Sequence, residues 1–229
     1  MIKDPPILTL RRKFRRPAAK LVKLFDGAMT GHVVDAMGGS GALDWRIKPL
    51  VPEQKAFCGI AVTCDCGPSD NLALFGALSV VKPGDVIMAA TGGHMGAAVT
   101  GDLLAGMAKN CGASAIVTDG AVRDVAGLVA VGLPICCAGV TPNSPVRNGP
   151  GTVGLAIVIG GVAVSSGDIV VGDGDGVVVI PQALAPAVAE ALAGIRTAEA
   201  ALEAKVKGGL RIPDFISSLL ASDRVENLD

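Results

Sequence analysis

Between residues 56 and 138 the chain alternates short runs of β-branched and small apolar residues with stretches of helical period. That alternation restricts the segment to βαβαβ order and therefore to a partly parallel sheet. The run 56–66 reads as a buried strand, and Pro68-Ser69-Asp70-Asn71 closes it and starts a helix through Val80, with Ser69 or Asp70 as cap. Lys82-Pro83-Gly84-Asp85 turns into a strand at 86–90, and the glycine-rich loop Thr91-Gly92-Gly93-His94-Met95-Gly96 leads into a helix at 101–110. A strand at 114–118, the turn Asp119-Gly120, a helix at 125–131 ended by Gly132 and a strand at 133–138 complete the pattern.

After Pro150 strands follow one another quickly, at 152–159, 161–164, 168–172 and 176–180, joined by glycine turns. An Ala-rich helix at 183–207 stops at Gly208-Gly209, and a short helix at 213–220 follows. The organisation expected is an N-terminal leader and helix at 1–27, an α/β core at 28–182, and C-terminal helices at 183–229 that pack on the core or on a neighbouring subunit. On that long helix Glu199 is the residue expected near a neighbour's site.

Composition excludes several function classes. The chain holds five Phe, one Trp and no Tyr, which argues against a base-stacking surface for RNA. Net charge is −1 with both signs interspersed, so no basic stripe points to nucleic acid, and the leader Arg11-Arg12-Lys13-Phe14-Arg15-Arg16 reads as a solvated face. No apolar run reaches bilayer length and Met1-Ile2-Lys3-Asp4-Pro5-Pro6 has no secretory pattern, so a cytoplasmic location is expected. Six cysteines without a C-x-x-C pair, and only two histidines, read as buried thiols rather than a zinc site. Gly172-Asp173-Gly174-Asp175-Gly176 runs into a strand instead of a helix and so reads as a hairpin turn, not a dinucleotide fingerprint.

The chemistry concentrates in Gly101-Asp102-Leu103-Leu104 and Arg123-Asp124, which lie at the ends of one strand-helix-strand unit. Arg123 can hold a carboxylate with both prongs of its fork, and Asp124 offers a hard oxygen ligand for Mg²⁺ or Mn²⁺. Asp102 opens a helix whose first N–H groups, those of Leu103 and Leu104, can receive an anion. His94, in the glycine loop, either lines this site or faces water.

At these residues the chain resembles the family that holds 4-hydroxy-4-methyl-2-oxoglutarate/4-carboxy-4-hydroxy-2-oxoadipate aldolases and the regulator of ribonuclease activity A. The likeness runs over roughly residues 28 to 210 by order of motifs, among them Val34-Asp35-Ala36-Met37-Gly38, Asp70-Asn71-Leu72, Gly120-Ala121-Val122-Arg123-Asp124 and Gly139-Val140-Thr141-Pro142. Aldolases of the family carry an aspartate, twenty intervening residues, then Arg-Asp, as Asp102 and Arg123-Asp124 do here. The regulator branch commonly has glycine at the first of these positions.

The resemblance implies an RraA-like α/β sandwich with a swivelling β/β/α core, assembled as trimers or hexamers with sites between subunits. It also implies a metal-dependent class II pyruvate aldolase with oxaloacetate decarboxylase side activity. In that reading Asp124 binds Mg²⁺ or Mn²⁺, Arg123 and Asp102 are catalytic, and Gly101, Leu103, Leu104 and Arg123 bind a small 2-oxo acid. The alternative is a non-catalytic, protein-binding regulator of a ribonuclease. Many relatives carry an acid where this chain has Gly127, so an acidic neighbour of the metal is expected to be missing, and Gly127→Asp to restore it.

Overall fold

A computed structural model describes residue 4 and residues 6–228; Met1-Ile2-Lys3 and Pro5, part of the stretch read for a secretory leader, lie outside the described residues. The chain divides into two compact units, Met1–Leu192 and Ala193–Asp229.

The first unit is built on a sheet of nine strands among the described residues. In chain order its first members are β1 (Leu8–Leu10), β2 (Lys48–Pro49), β3 (Phe57–Asp65) and β4 (Asp85–Ala90). A short β5 (Ala98–Thr100) belongs elsewhere, β6 (Ala115–Thr118) returns to the sheet, β7 (Ala121–Val122) leaves it again and β8 (Ile135–Cys137) rejoins it. Then come β9 (Gly139–Val140), β10 (Gly151–Val153), the hairpin of β11 (Ile157–Ile159) with β12 (Val162–Val164), and the hairpin of β13 (Ile169–Asp173) with β14 (Gly176–Ile180). The main sheet runs β1-β10-β3-β4-β6-β8-β2, with β13 pairing β3 from the side. Strands β3, β4, β6 and β8 are parallel, as the alternating pattern requires.

Every residue of β4 and β6 is buried, because both sheet faces are covered. Helices α1 (Ala19–Val22) and α2 (Thr30–Ala36) precede β2, and Ile87, Ala89 and Ile116 enter one core cluster with residues of α3 (Leu72–Ala77), α4 (Asp102–Asn110) and α5 (Val125–Val131). Val86, Met88, Ala115 and Val117 face the β11–β12 side. A third cluster joins β13 and β14 to Val33 and to Ala185, Val188, Ala189 and Leu192, which open the helix Ala185–Lys207.

The Gly172–Gly176 segment is a hairpin, closed at Asp173 opposite Gly176. Strand 152–159 is broken in two at Gly154, whose φ of +78° suits glycine and where a Cβ would lie only 2.2 Å from the Arg11 carbonyl oxygen.

The basic leader is more than a solvated face. Arg16 forks onto the buried carboxylate of Asp85 at 2.6 and 2.8 Å, and Arg12 donates to Ser79 Oγ at 2.8 Å. Asp85 also accepts the Lys82 N–H. Phe14 packs on the core and its ring lies 4.7 Å under the Arg16 guanidinium. The sequence hides this because the partners lie 69 residues apart.

In the second unit the remainder of the Ala185–Lys207 helix and the helix Asp214–Leu220 bury no residue, and Lys207 pairs with Glu203 one turn earlier. No helix among the described residues is long and apolar enough to cross a membrane.

Candidate functional site

The site is assembled by strands too short to show a period. β5, β7 and β9 form a separate three-stranded parallel sheet in the order β5-β7-β9. Thr100 is in register with Val122, so the residues that follow them, Gly101-Asp102 and Arg123-Asp124, leave the sheet side by side. Arg123 N–H donates to the Thr100 carbonyl at 3.0 Å, and Thr141 N–H to the Val122 carbonyl at 3.0 Å. The third strand thereby delivers Ser144, whose hydroxyl takes a short hydrogen bond from Arg123 Nη1.

Asp124 has φ +58°, ψ +46° at the start of α5. A non-glycine residue there is strained by about 1 kcal/mol, less for Asp than for most. Its side chain does not cap the helix. The carboxylate instead turns back to Arg123 Nε at 3.2 Å and to the bare backbone of Gly101, where a Cβ would lie 2.3 Å from Asp124 Oδ2. Gly101 has extended backbone, so it is space rather than conformation that requires glycine there.

Asp102 opens α4, as expected, and its Oδ1 accepts the N–H of Leu103 at 2.7 Å. Ala105 N–H bonds the Gly101 carbonyl at 3.0 Å, so the helix is closed from its first turn. The opposite edge of Asp102 packs against Gly127 of α5: a Cβ on Gly127 would meet Asp102 Oδ2 at 2.5 Å and Asp102 Cβ at 2.7 Å. The space that an acidic residue 127 needs is thus filled by Asp102, and Gly127→Asp would displace that carboxylate instead of adding one beside it.

Asp102, Arg123, Asp124, Gly101, Leu103 and Leu104 all line one cleft of about 250 Å³. Sequence reading missed six further residues on its walls: Asn71, Phe75, Thr100, Met107, Pro145 and Arg147. Asn71 is 4% exposed; its Nδ2 donates to the Val99 carbonyl at 3.1 Å, and its Oδ1 has no partner among the described residues. The Asp70-Asn71-Leu72 motif was the available signal, but a buried acceptor without a donor is visible only in three dimensions.

The glycine loop lies elsewhere. Asp119 accepts Thr91 N–H at 2.7 Å and Gly93 N–H at 3.1 Å, and Gly93, Met95 and Asp119 line a second cleft with Asp44 and Arg46. His94 Nε2 and Ser69 Oγ share a hydrogen bond of 2.7 Å, and neither is on the walls of the Asp102 cleft. Neither of the two expected caps of α3 holds that position: the helix is preceded by Asn71, whose side chain makes no capping bond, while Ser69, at φ +58°, is engaged with His94 and Asp70 Oδ1 accepts the Leu72 N–H at 2.7 Å.

No cysteine lines the Asp102 cleft. Burial pushes the Cys58 thiol up to about 12, helped by the nearby charge of Asp26, and burial likewise holds Cys136 at about 12 and Cys137 at about 11. Cys136 and Cys137 are core thiols and Cys58 is partly buried against the core, and the raised pKa keeps all three poor nucleophiles.

Among the described residues no three His, Cys, Asp or Glu side chains gather into a ready metal cage. Mg²⁺ does not need one, because it is commonly held by one or two carboxylates with the rest of its shell from water and substrate. The half-exposed Asp124 carboxylate, in the same cleft as Asp102, fits that donor chemistry.

The chain is a mixed α/β protein with a cleft lined by carboxylates and guanidinium groups, and comparison gives the family. Residues 30–179 match the RraA-like family, described as Aldolase/RraA. The chain belongs to that family. A protein of Halalkalibacterium halodurans named "Putative 4-hydroxy-4-methyl-2-oxoglutarate aldolase" is 40% identical over 153 residues, 67% of this chain and 72% of the relative. Among solved structures, RraAS2 of Streptomyces coelicolor, described as an unusual member of the RNase ES inhibitor RraA family, superposes with TM-score 0.74 and 26% identity, covering 83% of this chain and all of that one. The RNA-processing inhibitor RraA from Thermus thermophilis superposes with TM-score 0.62 and 28% identity, covering 68% of this chain and 93% of that one.

Proposed function

We propose that this protein is a divalent-metal-dependent class II pyruvate aldolase, a lyase that cleaves 4-hydroxy-2-oxo acids of the 4-hydroxy-4-methyl-2-oxoglutarate type to pyruvate and an oxo acid, and that also decarboxylates oxaloacetate. The observation that carries the reading is the convergence of Asp102, Arg123 and Asp124 on one cleft, with glycine at 101 leaving room for the Asp124 carboxylate. The name of the Halalkalibacterium relative supports it.

In this reading Asp124, with Asp102 nearby, holds Mg²⁺ or Mn²⁺, which supplies Lewis-acid polarisation of a 2-oxo acid when bound. Arg123, steadied by Ser144 and Asp124, donates to the keto oxygen and stabilises the negative charge that grows there as the C3–C4 bond breaks. The start of α4 receives the substrate carboxylate at the N–H groups of Leu103 and Leu104. Because Asp102 Oδ1 holds the Leu103 N–H at 2.7 Å, seating that carboxylate frees Oδ1 from this bond while the Oδ2 edge keeps its place against Gly127. Asp102, through a water, then takes the proton of the C4 hydroxyl and returns it to C3 of the pyruvate enolate. Loss of CO₂ from oxaloacetate leaves the same enolate, so one set of residues serves both reactions.

The assembly proposed is a homotrimer or homohexamer in the cytoplasm. On the cleft walls Leu103 is 77% exposed and Met107 is exposed as well, which suits burial against a second copy of the chain.

The test is pyruvate release from oxaloacetate and from a 4-hydroxy-2-oxo diacid, with Mg²⁺ or Mn²⁺ and with EDTA. Both activities should appear with metal and disappear together. Arg123→Ala should be inactive at any metal concentration, whereas Asp124→Asn should regain part of its rate in excess Mg²⁺. A wild-type protein that turns over neither substrate favours the second reading, a non-catalytic regulator binding a ribonuclease, which the likeness to the Thermus inhibitor supports.

A further inference from the structure

The proposed chemistry makes no use of the basic leader, which precedes the residues 30–179 that match the family. Between Asp4 and Asp26 the leader carries seven Lys and Arg residues and no acid. From Leu8 to Arg16 its side chains alternate. Leu8, Leu10 and Phe14 pack on the core, Arg12 and Arg16 reach Ser79 and Asp85, and Arg11, Lys13 and Arg15 are left exposed. None of these three forms an ion pair with a described residue. The backbone beneath them is pinned at every fourth residue. A Cβ at Gly149, Gly154 or Gly167 would lie 2.1, 2.2 or 2.3 Å from the carbonyl oxygen of Ile7, Arg11 or Arg15, respectively, so each carbonyl is seated on a glycine. Arg11 N–H also donates to the Val153 carbonyl at 2.8 Å, and the Arg15 carbonyl accepts Gln182 Nε2 at 3.0 Å. Alternate residues of an extended chain lie about 6.6 Å apart, so the three cations form a fixed row at that repeat.

The row continues β1, and β1 is an edge of the main sheet. Ile7 and Arg11, on either side of it, bond toward β10, the Ile7 carbonyl accepting the Gly151 N–H at 3.0 Å. The backbone groups of Leu8 and Leu10 therefore point to the open side, where no strand among the described residues pairs with them. We propose that β1 and the row after it form a docking edge for an extended acidic segment of a partner protein, which adds as a strand beside β1 and sets its carboxylates against Arg11, Lys13 and Arg15. An acidic strand with a carboxylate on alternate residues has the same repeat of about 6.6 Å as the cations it meets. Two observations select a polypeptide over a nucleic acid. An open strand edge offers main-chain hydrogen bonds that an added strand completes. Phe14, the aromatic ring of the row, is turned onto the core, so no base can stack on it. Across β10, Asp65 stands two strands inward from Thr9, and its carboxylate accepts the Gly67 N–H at 3.1 Å.

The probe is a fluorescein-labelled peptide of alternating Glu and Thr, followed by anisotropy on the full chain with neither metal nor 2-oxo acid present, so the outcome does not depend on the lyase reading. Binding should saturate, and it should weaken as NaCl is added. The combined variant Arg11→Glu, Lys13→Glu, Arg15→Glu should lose about tenfold or more in affinity. Its thermal unfolding should match wild type, because the leader holds the fold at 11 and 15 through backbone groups. Two modified peptides test strand addition itself, one N-methylated at every Glu and the other at every Thr. A strand bonds its neighbour through alternate residues, so one of the two should fail to bind and the other should bind as the parent does. Equal effects of the two methylations would overturn the proposal, as would full affinity in the charge-reversed variant. So would an oligouridylate that binds more tightly than the peptide, or a wild type that does not bind the peptide at all.

Discussion

Gly101→Ala tests the geometry of the site more directly than removal of any charged group. The backbone at Gly101, φ −138° and ψ −170°, is open to alanine, so the substitution adds one methyl without straining the chain. That methyl carbon would lie 2.3 Å from Asp124 Oδ2, 3.2 Å from Arg123 Cγ and 3.3 Å from Arg123 Nε. An unstrained carbon–oxygen contact needs about 3.3 Å, so the carboxylate has to retreat by about 1 Å. A misplacement of that size costs on the order of 100-fold in rate when the moved group orients the reaction. Stability should stay within about 1 kcal/mol, because Asp124 is half-exposed and free to swing and because alanine lowers the entropy of the unfolded chain. The assay is pyruvate release over a Mg²⁺ titration, with thermal unfolding alongside. Gly101→Ala should need more metal and turn over about 100-fold more slowly. In an Asp124→Ala background the same methyl meets only the flexible Arg123 stem, at 3.2 Å, and should cost little further, the signature of a coupled effect. A Gly101→Ala protein with wild-type rate and metal requirement would refute the assignment of Asp124 to the site.

Gly127→Ala should push Asp102 out of its seat and reduce aldol cleavage at least tenfold, at about 1–3 kcal/mol of stability, and Gly127→Asp should do the same without lowering the metal requirement; an acid at 127 that improves metal affinity would contradict the packing. Arg16→Ala leaves the buried Asp85 carboxylate without its cation and should destabilise the protein by about 3 kcal/mol in urea unfolding, with little effect on turnover. The thiols set an alkaline limit. Cys58, Cys136 and Cys137 stay protonated in the fold well above their ordinary value of 9.0, so the unfolded chain loses their protons first and stability falls as pH rises from about 9 toward 12. At pH 10 the loss is about 1.4 kcal/mol per thiol, and iodoacetamide on the native protein at pH 8 should label the half-buried Cys111 before these three.

What a sequence displays depends on whether a residue's role is local. Asp102, Arg123 and Asp124 were readable because a helix start and a turn announce themselves in neighbouring residues, and the parallel strands β3, β4, β6 and β8 because two covered faces demand continuous apolar runs. The small sheet that brings those three side chains together was not readable: β5, β7 and β9 are three, two and two residues long, too short for a period of two to repeat. Arg147 was hidden for a related reason, since its segment between β9 and β10 has no period and takes its shape from Asp70, 78 residues away from Asn148. Arg16 looked solvated because nothing near it in the chain names Asp85.

Gly127 shows how a family comparison misleads where packing is reciprocal. An acid at 127 and the present seat of Asp102 compete for one volume, since the Cβ of the first would lie 2.5 Å from the carboxylate oxygen of the second. Read along the chain, glycine at 127 is a missing group; read across the contact of α4 with α5, it is the vacancy that lets Asp102 lie against the neighbouring helix. The two carboxylates of the cleft are thus each seated on a glycine, Asp124 on Gly101 and Asp102 on Gly127. Adding a methyl group at either position moves an acid without removing a charge, so a rate that falls in both variants with net charge unchanged would trace the site's performance to where its acids sit.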